Sequence, residues 1–230
     1  MQRLLFILTV ATTMIACGQG GTRQSTDDTY KSGANASNSS DPAFHSLIGW
    51  KKNVPFYVSS DAPDAVVEAA QSAAATWSDA VGQVVLTFAG VSVSTRGNDL
   101  YASLDDEATY VYYEPRWTAT TSKSVTTLAT TVWENANNSE QIVRGDVILN
   151  AQTYDFVDAM GNLPRNIDED RVVDAETVIL HEFGHLLGLD HIDEDADSNS
   201  IMHAKTFIGP NLSFRTLSDG DTNHIRKLYP

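Results

Sequence analysis

The stretch His181-Glu182-Phe183-Gly184-His185-Leu186-Leu187-Gly188-Leu189-Asp190-His191 decides how this chain is read. Residues four apart on a helix share a face, so His181 and His185 can offer both imidazoles to one metal ion. Glu182 stands one step along, placed to hold a water beside that ion without being a ligand. Gly188 adopts positive φ without steric cost, which lets the chain leave the helix sharply and bring His191 back as a third ligand. Three nitrogen ligands leave one tetrahedral position open, which separates a catalytic zinc site from a closed structural one. The expected chemistry is hydrolytic. Zinc lowers the pKa of its bound water and polarises a carbonyl, while Glu182 takes the proton and passes it to the leaving group. Five fixed positions at background usages of a few per cent match by chance less than about once in a million windows.

Working outward, Asp174 is a candidate cap for the helix that carries this stretch and ends at Gly188. Upstream, Asn53–Val58 reads as a first strand. Ser60-Asp61-Ala62-Pro63 supplies capping candidates and a proline for a helix start. Val66, Ala70, Ala73, Trp77 and Val81 then recur at three- and four-residue steps as one apolar face, closed by Gly82. Val84–Phe88, Tyr110–Tyr113, Val125–Trp133 and Val143–Leu149 are further strand candidates, rich in β-branched and aromatic residues. A last helix starts at Ser218, where Ser218 and Asp221 have capping-box spacing, and it carries Ile225 and Leu228 on its apolar side. A strand-rich first half with one helix, followed by two late helices, is an α+β domain.

The His-Glu-x-x-His-x-x-Gly-x-x-His string is the signature of the metzincin metalloproteases, and the chain resembles that family. Its second hallmark is a methionine turn beneath the metal, which Ser200-Ile201-Met202-His203 supplies. The matrixin branch is the most similar. Ala75-Thr76-Trp77-Ser78-Asp79 with Leu86-Thr87-Phe88 resembles its first helix and second strand. Leu217-Ser218-Asp219-Gly220-Asp221 with Ile225, Leu228 and Tyr229 resembles its C-terminal helix. Leu128-Ala129 matches the strand that borders its substrate cleft. The resemblance spans most of Phe44–Pro230. It implies an α+β catalytic domain with a twisted, mostly parallel five-stranded sheet, one antiparallel edge strand and three helices. It further implies a zinc-dependent endopeptidase acting on extended protein or peptide substrates, with one catalytic Zn2+ on His181, His185 and His191. Glu182 would be its base, Met202 the apolar floor under the ligands, and Leu128 and Ala129 the substrate-edge strand. Asp221 matches an aspartate that braces the methionine turn in matrixins, and it equally fits the capping box of its own helix. The competing reading is a catalytically silent zinc-containing binding module on the cell surface.

Departures from the family pattern carry expectations of their own. Ile192 follows the third histidine, where astacins place Glu and reprolysins Asp. Ala204 stands where astacins and serralysins have tyrosine and matrixins usually proline, so no tyrosine from there should help an oxyanion. No histidine occurs between Val91 and Asn150, so the second, structural zinc of animal matrixins is not expected. Asp193, Glu194, Asp195 and Asp197 crowd the loop after His191, but their spacing fits no EF-hand-type calcium loop and a solvated acidic loop is the expectation. His45 and His224 read as surface or satisfied structural histidines, and His203 as a neighbour of the cleft rather than a ligand.

Arg3 precedes an apolar run from Leu4 to Ala16, too short to span a membrane but right for a signal-peptide core. The run ends Met14-Ile15-Ala16-Cys17, which resembles the lipobox of bacterial lipoproteins, whose cysteine becomes the lipidated N-terminus. Met14 departs from the usual leucine, and an ordinary secretory signal is the alternative. The expected organisation is therefore a signal peptide over 1–16, lipidation at Cys17, a flexible tether over 17–43, and a catalytic domain over 44–230. Gly18 to Asp41 is rich in Gly, Ser, Thr, Asn and Asp and cannot bury enough apolar surface to order itself. Either version exports the protein, with outer-membrane or cell-surface anchoring expected from the lipid and no other membrane contact. Cys17 is the single cysteine, which excludes an internal disulfide and a thiolate zinc cage, and leaves the mature chain no thiol for cysteine-switch latency. A net charge of −15 argues against nucleic-acid binding and against docking on anionic lipid. A monomer is expected. Hydrophobic content of 42% and charged content of 20% over 230 residues suit one domain with a buried core.

Overall fold

Val54, Phe56 and Val58 alternate inward along β1 (Val54–Ser59), an inner strand of the main sheet. The computed structural model describes residues 15–16, 49–93, 108–136, 141–161, 163, 165–193 and 195–230. The leader and tether expectations, Ile15–Ala16 apart, fall outside these residues, as do His45 and Glu194. Ile15–Ala16 pair antiparallel with Lys205–Thr206.

After β1 come α1 (Asp64–Val81), β2 (Leu86–Ser92), β3 (Thr109–Glu114), the short α2 (Trp117–Thr121), β4 (Ala129–Asn135) and β5 (Ile142–Asn150). A small pair, β6 (Asp155–Val157) and β7 (Val172–Asp174), leads into α3 (Ala175–Leu186), and α4 (Asp219–Leu228) closes the chain. The five-stranded sheet runs in the order β2-β1-β3-β5-β4. All its neighbours are parallel except β4, which pairs antiparallel with β5 at the edge. This is the sheet that the matrixin resemblance implies, with α1, α3 and α4 as its three long helices. Among the described residues no helix is long and apolar enough to cross a membrane.

One sheet face packs on α1 and α3. Val66, Ala70, Ala73 and Trp77 bury the expected face of α1, and Trp77 Nε1 donates to Leu180 O at 2.8 Å, fastening α1 to α3. At the far end of α3, Trp50 Nε1 donates to Leu186 O at 2.8 Å and Tyr229 Oη to Leu187 O at 2.9 Å. A buried donor without a partner costs about 1–3 kcal/mol, so these bonds fix where the helix lies as well as that it is buried.

Several boundaries differ from the sequence reading. The helix start expected from Ser60 and Asp61 is not capped by them: Pro63 occupies the N-cap with no side-chain bond. Ala62 N donates to Ser59 O at 3.0 Å, so these residues are spent in a turn, and a residue before proline avoids helical φ/ψ. The strand expected from Val84 starts at Leu86, leaving Val84 60% exposed, and runs on to Ser92. The strand expected from Val125 starts only at Ala129, because Thr127 N turns back to Ser124 O at 3.1 Å. Gly82 and Gly188 do take positive φ, +82° and +106°, where α1 and α3 end.

Candidate metal centre

Asp174 begins the site. Its carboxylate caps α3 by accepting from Thr177 N at 3.1 Å, and also holds Ala159 N at 3.0 Å and the Arg215 guanidinium. An N-cap alone is worth about 1 kcal/mol; here the same group ties three segments together. Burial opposes its ionisation, but the bonds from Arg215, Thr177 and Ala159 outweigh that and hold the carboxyl below its usual range.

Along α3, His181 and His185 then share a face, and the turn at Gly188 returns His191 to them. One nitrogen from each ring lies within 4.8 Å of the others, and His185 Nε2 is 3.1 Å from His191 Nε2. The opposite ring nitrogens of the helical pair are engaged: His181 Nδ1 bonds Ile201 O at 2.7 Å and His185 Nδ1 bonds Leu189 O at 2.9 Å. A carbonyl accepts only, so both rings carry the proton on Nδ1 and offer the lone pair of Nε2 inward. His181 Nε2 is buried with no protein partner. Burial, and then the neighbouring His191, push the His181 pKa down to about 3. Burial lowers His185 well below its usual value, with His181 and His191 adding to it. Burial also lowers His191, against the pull of Asp190. Three converging neutral nitrogens, one of them orphaned, fit a zinc ion, which needs unprotonated imidazoles. His203 is not part of the cluster; its Nε2 is 2.6 Å from Asp197 O.

A model of the family described as Matrixin matches residues 50–230. The chain belongs to the matrixin family. No match was found among curated proteins. Matrixins are zinc metallopeptidases, so the family implies zinc and protein or peptide substrates, and the three histidines are its fitting site.

In this matrixin the methionine turn lies directly beneath α3. A Cβ at Gly184 would overlap Met202 Sδ, so the glycine leaves room for the buried Met202 at the floor of the site. The two roles open to Asp221 are both filled. Its carboxylate accepts from Ser200 Oγ at 2.5 Å and Ile201 N at 2.9 Å, bracing the turn, and from Ser218 N at 2.9 Å, completing the capping box of α4. Since Ile201 O is the partner of His181, the brace reaches a ring of the site through one residue. The acidic loop is less simply solvated than expected. Asp193 and Asp195 are exposed, but Asp197 accepts from Ser218 Oγ at 2.6 Å and so ties the loop to α4. His224 is buried, as a structural histidine.

Glu182 is wholly buried beside the histidines, and Thr131 Oγ1 of β4 donates to its Oε2 at 2.6 Å. A cavity of about 580 Å³ opens here, bordered by His181, Glu182 and Leu128 and walled by Phe207, Phe214 and Leu217. Ala129, also buried, begins β4 beside it. Thr131 and the wall residues Phe207 and Phe214 escaped the sequence reading. Thr131 carries no local mark beyond its place in a β-branched run, and the wall residues show no periodicity to flag them.

Proposed function

We propose that this matrixin is a zinc-dependent endopeptidase that hydrolyses extended segments of protein substrates, with His181, His185 and His191 as ligands and Glu182 as general base. The observation that carries the reading is the convergence of three neutral imidazole nitrogens beside the buried Glu182 carboxylate at a cavity mouth. Zinc held by these nitrogens would supply Lewis acidity, acidifying water and polarising the scissile carbonyl. The remaining work belongs to the chain. Glu182 takes the proton of the attacking water on a carboxylate oxygen and returns it to the leaving amine. The Ile201 and Leu189 carbonyls keep both helical rings in one tautomer. The apolar walls receive a substrate side chain beside the scissile bond and exclude water from it. Hydrolysis of casein or gelatin, lost on zinc chelation and restored by zinc, tests the reading; a protein that binds one zinc and cleaves nothing would be the silent binding module instead.

The substrate backbone is expected to run along β4. Leu128 O accepts from Asn150 N at 2.8 Å, and antiparallel alternation then directs the backbone of Ala129 and Thr131 away from β5, toward the outer edge. Strand addition there would satisfy an extended peptide while tolerating varied side chains. Ala129→Pro alters the backbone at this edge of the sheet and leaves the β4–β5 ladder standing. We expect KM to rise by about tenfold at unchanged zinc content. An unaltered KM across several peptides, with the fold intact, would remove β4 from substrate binding.

Export and anchoring complete the proposal. Cleavage before Cys17 would leave a lipidated N-terminus, and the Gly18–Asp41 segment would hold the domain roughly 25–30 Å from the bilayer as a flexible chain. Cys17→Ser should move the protein from the detergent-soluble membrane fraction to the soluble one, or leave it as uncleaved precursor. Native protein recovered only as soluble mature enzyme, its N-terminal peptide free of lipid, would mean a plain secretory signal.

A further inference from the structure

Resting on the reading of Glu182 as the base, we propose that Thr131 is its positioning residue, a buried hydroxyl on the edge strand that fixes the orientation of the Glu182 carboxylate. Thr131 is wholly buried on the face of β4 that also carries Ala129 into the core against α3. Positions facing a helix across a sheet are ordinarily apolar, and a hydroxyl there needs a partner. Thr131 finds it in one residue: its Oγ1 is 2.6 Å from Glu182 Oε2 and 3.0 Å from Glu182 O, across 51 residues of sequence. The shorter distance is the usual one for a hydroxyl donating to a carboxylate.

The two ends of this bond differ in stiffness. A glutamate carboxylate turns on three torsions, the last of them broad. A threonine has one χ1, restricted by branching at Cβ, and Thr131 stands in a strand paired residue by residue with β5, Thr131 opposite Val147. The bond therefore passes the rigidity of the sheet to the end of a long side chain. A catalytic group is effective only when held within about 0.5 Å of its working position. Both hydrogen bonds of Thr131 Oγ1 end on Glu182, so it acts through that residue. Zinc affinity should be indifferent to it and turnover should not.

The test compares wild type, Thr131→Val and Thr131→Ser, each loaded with zinc. Valine keeps the shape and removes the donor; serine keeps the donor. We expect Thr131→Val to lose about tenfold or more in kcat, the value of one hydrogen bond to a charged group. KM and zinc stoichiometry should stay at wild-type values, and Thr131→Ser should recover most of the lost turnover. A merely structural residue would shift KM, zinc content and unfolding midpoint together and would not separate serine from valine. A kcat for Thr131→Val within twofold of wild type overturns the proposal. Crystal structures of the same variants supply a readout without turnover: Glu182 should leave its single orientation in Thr131→Val and keep it in Thr131→Ser, and an unchanged Glu182 in the valine variant likewise overturns it. Wild type that binds zinc but cleaves nothing would instead remove the peptidase reading, leaving the orientation of Glu182 to be judged from the structures.

Discussion

Glu182→Gln should bind zinc as the wild type does and lose roughly 10²–10⁴-fold in kcat, the range that a positioned general base contributes. The substitution is nearly isosteric, and the buried surroundings accept it. Thr131 Oγ1, which donates to Glu182 Oε2 at 2.6 Å, can donate equally to an amide oxygen, so this bond survives the substitution. None of the three metal-facing nitrogens belongs to this residue, so zinc stoichiometry by mass spectrometry should be unchanged. What the amide cannot do is accept the proton of the attacking water. Peptidase assays at saturating substrate separate this from a binding defect, since KM should change little. Turnover within tenfold of wild type would assign the base to another group.

His191→Ala should weaken zinc binding by more than about 100-fold, beyond what loss of a group that only supports a ligand usually costs. His191 is the ligand candidate that the helix does not place. It lies past the turn at Gly188 (φ +106°), yet its Nε2 comes within 3.1 Å of His185 Nε2. His203→Ala is the matched control: that ring faces Asp197 O and stands outside the cluster, so zinc affinity should stay at the wild-type value. Competition with a chelator of known affinity measures both. Stoichiometric zinc on His191→Ala at nanomolar free metal would place the third ligand elsewhere. The same histidines set a pH dependence. Their folded pKa values lie below the ordinary 6.5, His181 at about 3, because burial disfavours the imidazolium. Below pH 6.5 the unfolded chain takes up protons that the folded chain refuses, so the stability of the zinc-free protein should fall as pH decreases from 6.5 toward the depressed values. Chemical denaturation of the zinc-free protein across that range checks the sign.

What could be read from the sequence was what short-range geometry dictates. The His181–His185 pair follows from helical spacing, the return of His191 from a glycine free to take positive φ, and the α4 start from a capping box closed within four residues. The face of α1 follows from its periodicity. The mostly parallel sheet with one antiparallel edge did not follow from periodicity but came with the matrixin resemblance, and its strand order came from the structure, because neighbours such as β3 and β5 are chosen by contacts far apart in the chain. The misplaced start at Val125 and the unused capping residues before Pro63 share one cause. Local propensity permitted those residues a regular structure, but turns that consumed their backbone groups came first. The tertiary structure alone decided that Arg215 clamps the cavity wall to the cap of α3 and that a threonine 51 residues upstream of Glu182 meets its carboxylate. Each is a hydrogen bond between segments brought together only by burial of the core, and a bond of that kind leaves no spacing in the sequence by which it could be recognised.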